Sequence, residues 1–119
     1  MKRRVLLGGL LLPWGTAAWA TPSKAERERI NRLIEAVAQR TDIRFVRNGK
    51  EYSATQAADF LRGKLQWQIE KITTAQDFIE QVGTRSTASG QDYMIRLADG
   101  QTVPSAQFLA QELRRLGKR

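Results

Sequence analysis

FVRNGKEYSATQAADFLRGKL, residues Phe45 to Leu65, carries a start or stop signal at nearly every step. Ile43, Phe45 and Arg47 alternate with Arg44 and Val46, the period-2 spacing of a strand. Asn48-Gly49 follows, a dipeptide suited to a type I′ turn, whose two central residues both need φ > 0. Lys50, Glu51 and Tyr52 make the return strand. Ser53 then opens a helix, and S-A-T-Q sets Ser53 and Gln56 as a capping box, each side chain serving the other's amide. Strand, tight turn, strand, cap and helix are all fixed locally.

The helix after Ser53 has two apolar faces. At 100° per residue, Ala54, Ala57, Ala58, Leu61, Leu65 and Ile69 fall in one stripe. Phe60 and Trp67 share a different face, with Gly63 beside them. Two arrangements fit. A helix sandwiched between layers is the usual outcome for an aromatic pair at helical spacing. The other is a groove lined by Phe60 and Trp67, which the missing side chain of Gly63 would leave open.

Working outward, S-K-A-E from Ser23 predicts another capping box, with Glu26 returning a bond to the Ser23 amide. Ile30, Leu33, Ile34 and Val37 then mark one buried helical face, and Glu28 and Arg32 have the favourable i,i+4 order. Downstream, Thr74 caps a short helix with Phe78, Ile79 and Val82 inward and Gly83 as its C′ stop. Thr84 to Gln91, TRSTASGQ, is a polar loop. Tyr93, Ile95 and Leu97 alternate as a strand, Asp99-Gly100 turns, and Gln101 to Val103 returns. Pro104 and Ser105 start a last helix with Leu109, Leu113 and Leu116 on one face and Arg114, Arg115, Lys118 and Arg119 at its C-terminal end, where the helix dipole favours cations. DFLRGKL after the first hairpin parallels QFLAQEL after the second, a faint internal repeat. The order α-β-β-α-α-β-β-α predicts one small α+β domain, its antiparallel hairpins packed against helices.

The N-terminus points to export. Lys2, Arg3 and Arg4 precede the apolar run Val5 to Ala20, and Ala18 and Ala20 stand at the −3 and −1 positions of a cleavage site. Residues 1–20 are therefore expected to be a signal peptide cleaved after Ala20, leaving 21–119 as a single periplasmic domain that does not span the membrane. That domain holds all 12 acidic residues and 17 of the 20 Lys and Arg, a net charge of +5. Such an excess permits weak attraction to anionic surfaces. Export argues against a nucleic-acid partner.

The composition closes several chemistries. With no cysteine and no histidine, the chain lacks thiol nucleophiles, Cys zinc sites and the usual general base. It has no P-loop and no G-x-G-x-x-G. No cofactor, metal site or catalytic activity is expected. Two polar surfaces remain for binding. In the RNGKEY hairpin, Arg47, Asn48, Gly49, Lys50 and Tyr52 set a guanidinium beside a phenol at a turn tip, which suits a carboxylate, phosphate or sugar. Alternatively, Asn48-Gly49 serves only the turn and Tyr52 only packs. In STASGQDY, Ser89, Gly90 and Tyr93 form an S-G-x-x-Y element similar to the loop that bacterial lysozyme inhibitors place in the lysozyme cleft.

FVRNGKEY (Phe45 to Tyr52), AADFLRGKL (Ala57 to Leu65), TTAQDFIEQV (Thr73 to Val82), STASGQDY (Ser86 to Tyr93) and PSAQFL (Pro104 to Leu109) together resemble the YfeK-like family of small periplasmic proteins of unknown function. The resemblance runs over essentially all of residues 21–119 and implies the same compartment and a single domain. It carries no catalytic residues to transfer. The expectation is a non-enzymatic binding or accessory protein of the cell envelope, its partner an envelope component or a protein. An inhibitor of an exogenous cell-wall hydrolase and a small carboxylate-dependent glycan-active enzyme are the alternatives.

Overall fold

The first hairpin forms as its turn residues demand. The computed structural model describes residues 21–117, so the expected leader over 1–20 and the terminal Lys118 and Arg119 lie outside the described residues. Strands β1 (Arg44–Arg47) and β2 (Lys50–Tyr52) run antiparallel with Arg47 opposite Lys50. Asn48 takes φ 52° and Gly49 φ 81°, both left-handed, as a type I′ turn requires.

The second hairpin joins β3 (Met94–Arg96) and β4 (Thr102–Pro104) through a different turn. Only Gly100 is left-handed, at φ 90°. The Leu97 carbonyl accepts from the Gly100 amide, and the Leu97 amide donates to the Gln101 carbonyl. This is a three-residue loop with the left-handed glycine in its last place. The likeness between the two hairpin–helix units does not extend to their turns.

β1 also pairs antiparallel with β3, giving a four-stranded sheet in the order β2-β1-β3-β4. Tyr52, Phe45, Ile95 and Val103 form one cross-strand row, with Phe45 and Ile95 buried at its centre. Because side chains alternate along a strand, Arg47 lies on the same face as Phe45.

Among the described residues there are four helices, α1 (Lys24–Gln39), α2 (Ala54–Trp67), α3 (Ala75–Gln81) and α4 (Ser105–Leu116), with a short 3₁₀ turn at Ile69–Lys71 after α2; α2 and α4 pack on the sheet. The element order and the α+β class agree with the sequence. Helix α1 is central and packs on α2, α3 and α4 through Ile30, Leu33, Ile34 and Val37. Each such side chain, fully buried, stabilises the fold by about 1.5–3 kcal/mol relative to exposure. Ala54, Ala57, Ala58 and Leu61 of α2 are buried as the first stripe predicted.

Caps and stops follow the local rules only in part. Ser53 and Gln56 complete their box, with bonds of 3.1 and 2.9 Å. Ser23 accepts the Glu26 amide at 3.2 Å, but Glu26 does not return the bond. Its carboxylate instead accepts the Ala75 amide at 2.7 Å, an orphan donor at the start of α3. That bond is the main reason the Glu26 carboxyl sits below its ordinary pKa. The ion pairs made from α1 include Arg29–Glu26 and Glu35–Arg62; Glu28 and Arg32 do not pair. Gly83 is not a left-handed stop. A Cβ there would meet Leu109 Cδ1 at 2.5 Å, so glycine is present to let α4 approach α3. Ser105 does not cap α4: Pro104 holds that position, and the buried Ser105 hydroxyl has no partner.

Candidate functional site

Asn48 does more than turn the hairpin. Its Nδ2 donates to Ser86 Oγ at 3.4 Å, and its Oδ1 accepts from Ser89 Oγ at 2.5 Å. The RNGK turn and the STASGQ loop, two separate candidates in the sequence, are one structure. The loop is closed internally by Ser86 and Gln91, with the Ser86 amide donating to the Gln91 carbonyl at 2.8 Å and the Gly90 amide to the Ser86 carbonyl at 2.8 Å. Gly90 is left-handed, φ 76°. Arg85 and Asp92 close the loop's base, 3.6 Å apart.

A second tie comes from below. Lys64 of α2 is buried, 8% exposed. Its Nζ donates to the Arg85 carbonyl at 2.8 Å and to the Tyr93 hydroxyl at 3.0 Å, and it stands 4.9 Å from the Tyr93 ring centroid. Among the described residues, no carboxylate lies within 4 Å of it. Burial, with the positive charges of Arg47 and Arg85, pulls the Lys64 pKa below the ordinary lysine value. Burial likewise pushes the Tyr93 phenol up.

Between α2 and the joined loops lies a cleft of about 430 Å³. Phe60, Gly63, Lys64 and Trp67 line it from α2, Arg47 and Tyr93 from the sheet side, and Ser86, Thr87 and Ala88 from the loop. Phe60 is half-buried and packs on Phe45 and Tyr93, with ring centroids 5.9 and 5.6 Å apart. The two aromatics divide: Phe60 packs between α2 and the sheet, as a sandwiched helix would have it, whereas Trp67 is 73% exposed and stands over the groove. Gly63 has open space where a Cβ would stand. A second hollow of about 440 Å³, lined by Gln68, Lys71, Glu80 and Arg85, shares Trp67, Ser86 and Thr87 with the first. Trp67 therefore stands on the rim between two hollows.

Arg47 lies 4.5 Å from the Phe60 ring centroid and 5.7 Å from that of Tyr52, stacked rather than ion-paired. Of the eight sequence candidates, Arg47, Asn48, Ser89 and Tyr93 meet at the cleft or its hinge. Gly49 and Lys50 sit exposed at the turn tip; Lys50 and Tyr52 contact each other, with 5.7 Å from Nζ to the ring centroid, outside the cleft. Gly90 lines the neighbouring hollow. Tyr93, 1% exposed, is a core residue, so the S-G-x-x-Y element does not project as a unit. Sequence reading missed Lys64. A signal existed: Lys64 falls four residues after Phe60 and three before Trp67, on the face those aromatics mark.

A family of unknown function, DUF5329, matches residues 24–117, and the chain belongs to it. One relative is uncharacterized protein YfeK of Salmonella typhimurium (strain LT2), 40% identical over 76 residues, which are 64% of this chain and 63% of that protein. The chain thus spans about 63% of the length of the relative it matches. Both findings agree with the YfeK-like resemblance of the sequence. No solved structure matches. Among the described residues, no helix is long and apolar enough to cross a membrane.

Proposed function

We propose that the protein is an exported, non-enzymatic binding module of the cell envelope, and that its ligand or partner enters the cleft between α2 and the joined loops. One observation carries the reading: a buried lysine without a carboxylate partner lies at the floor of a concave site whose rim is an exposed tryptophan. Apolar walls with a few convergent polar groups are the usual make-up of a small-ligand site. Burying an unpaired charge and exposing a large aromatic ring both cost stability, and a bound ligand would offset both.

The non-enzymatic part rests on chemistry. Lys64 is held by a carbonyl and a phenol, and the residues lining the cleft include no carboxylate and no imidazole. The export part rests on the leader over 1–20 and its Ala18-x-Ala20 site. N-terminal sequencing of the cell-fractionated protein should begin at Thr21 in the periplasm; a cytoplasmic chain starting at Met1 would overturn export. For binding, a photo-crosslinking residue at Thr87, on the rim, should give a discrete adduct in living cells. A stable protein with no adduct there, and none with the probe at Gly63, would sink the reading.

A further inference from the structure

We infer that the cleft takes a small organic anion, its charged group held between Lys64 and Arg47 and its flat apolar face laid against Trp67. This rests on the binding reading above and names the ligand's chemistry.

Charge placement points to an anion. Arg29, Arg40, Arg62, Arg85, Arg96 and Arg115 each have a carboxylate within 4 Å. The other nine described cations have none; seven of them are exposed, and the two that are not, Arg47 and Lys64, both line this cleft. An ammonium has three donors, and Lys64 uses two, on Arg85 and Tyr93. The Arg47 guanidinium rests on the Phe60 and Tyr52 rings and has no hydrogen-bond partner among the described residues, so its N–H groups are available. Two uncompensated cations in a low-dielectric hollow attract a negative group more strongly than exposed ones do. The walls set the rest of the ligand. Phe60, Ala88 and the exposed Trp67 offer apolar surface, and Ser86 and Thr87 add hydroxyls on the loop side. A ring with one anionic substituent, such as an aromatic or sugar acid, satisfies both halves of the site. A carboxylate and a phosphate ester share this chemistry.

The test uses matched probes on residues 21–119, which contain every described element and the whole of the described core. In that chain Trp67 is the one tryptophan, so its emission reports occupancy. 4-Nitrophenyl β-D-glucuronide and 4-nitrophenyl β-D-glucoside differ only in the carboxylate; 4-nitrophenyl phosphate supplies the phosphate source. The glucuronide or the phosphate should quench Trp67 with a Kd at least tenfold below that of the glucoside, and whichever binds tighter identifies the source. Lys64→Met should abolish that preference. Arg47→Gln, at a half-buried strand end, should cut it several-fold and keeps the test open if the Lys64 variant misfolds. Equal affinity for acid and glucoside would overturn the anion inference and leave the binding cleft standing. No saturable quenching by any of the three would overturn the anion inference; the crosslinking at Thr87 then decides the binding reading by itself.

Discussion

Two buried charges in this domain are treated in opposite ways. Glu112 of α4 is 5% exposed and is enclosed by cations: its Oε2 accepts from Arg40 Nη1 at 3.0 Å, and its Oε1 pairs with Arg115. Arg40 is itself fixed by Asp42 at 3.0 Å and lies 5.2 Å from the Phe108 ring centroid. Lys64 is 8% exposed, but its partners are a carbonyl and a phenol, and the nearby formal charges are those of Arg47 and Arg85, which are also positive. The first site is electrostatically closed and joins α4 to the end of α1. The second is left open, and it opens onto the cleft. A fold gains little from an uncompensated buried cation, so the contrast separates an ion cluster that serves stability from a residue kept for binding.

The closed site should show the largest effect. Glu112→Gln leaves two arginines facing a neutral amide, and breaking a buried pair by removing one partner costs about 3–5 kcal/mol. Arg40 keeps Asp42, and Arg115 is half exposed, so a loss of about 3 kcal/mol is expected. Urea unfolding should show a lower midpoint at unchanged slope, with the cleft's probe affinities intact. An unchanged midpoint would remove the closed half of the contrast.

The hinge of the open site comes next. Asn48 holds φ 52° and bonds Ser86 and Ser89. Asn48→Ala loses those bonds and meets left-handed strain, for a cost of roughly 2 kcal/mol. Asn48→Gly keeps the turn and should lose only about 1 kcal/mol. In both variants, hydrogen exchange at the Ser89 and Gln91 amides should quicken, because the loop has lost its tie to the hairpin. If exchange there stays slow in the glycine variant, Lys64 alone holds the loop, and the cleft wall is stiffer than the Asn48 bonds imply.

What could be read from the sequence divides along the same line. Signals confined to a few residues came out as written: the Asn48-Gly49 turn, the Ser53–Gln56 box, the buried face of α1 and the element order. Signals that could be outbid by a distant partner did not. Glu26 serves Ala75 rather than Ser23, because α3 brings an unsatisfied amide within reach. Gly83 answers to Leu109 across a helix interface, and no local rule names that contact. The site itself is a tertiary product. Arg47, Asn48, Ser89 and Tyr93 were each visible as polar or aromatic residues near turns. That Asn48 ties its own turn to a loop whose Ser86 and Ser89 lie 38 and 41 residues away in sequence depends on β1 pairing with β3. Lys64 was hidden because a lysine on a helix is ordinarily a solvated charge; only the loop folded over it makes it buried.

Lys64 gives the smallest change in stability and the sharpest test of the contrast. Its folded pKa is lowered, first by burial and then by Arg47 and Arg85. The unfolded chain therefore holds this proton more tightly than the native one. Below the folded pKa the buried charge subtracts its full cost from stability. That cost is relieved as pH climbs from the folded pKa toward the ordinary lysine value of 10.5. Lys64→Met removes the cost but strands the Arg85 carbonyl and the Tyr93 hydroxyl, each worth roughly 1 kcal/mol or more. The two effects oppose, so the variant should lie within about 1 kcal/mol of the parent at neutral pH. Tyr93, whose phenol burial holds above its usual range, is present in both proteins, so its own titration largely cancels in the difference. The stability of the Met variant minus that of the parent should then fall as the pH rises through the alkaline range, because only the parent recovers. Urea midpoints of the two proteins measured across that range give this difference directly. A loss at neutral pH as large as that of Glu112→Gln, with no pH dependence, would make Lys64 a structural strut and put both buried charges in the same class.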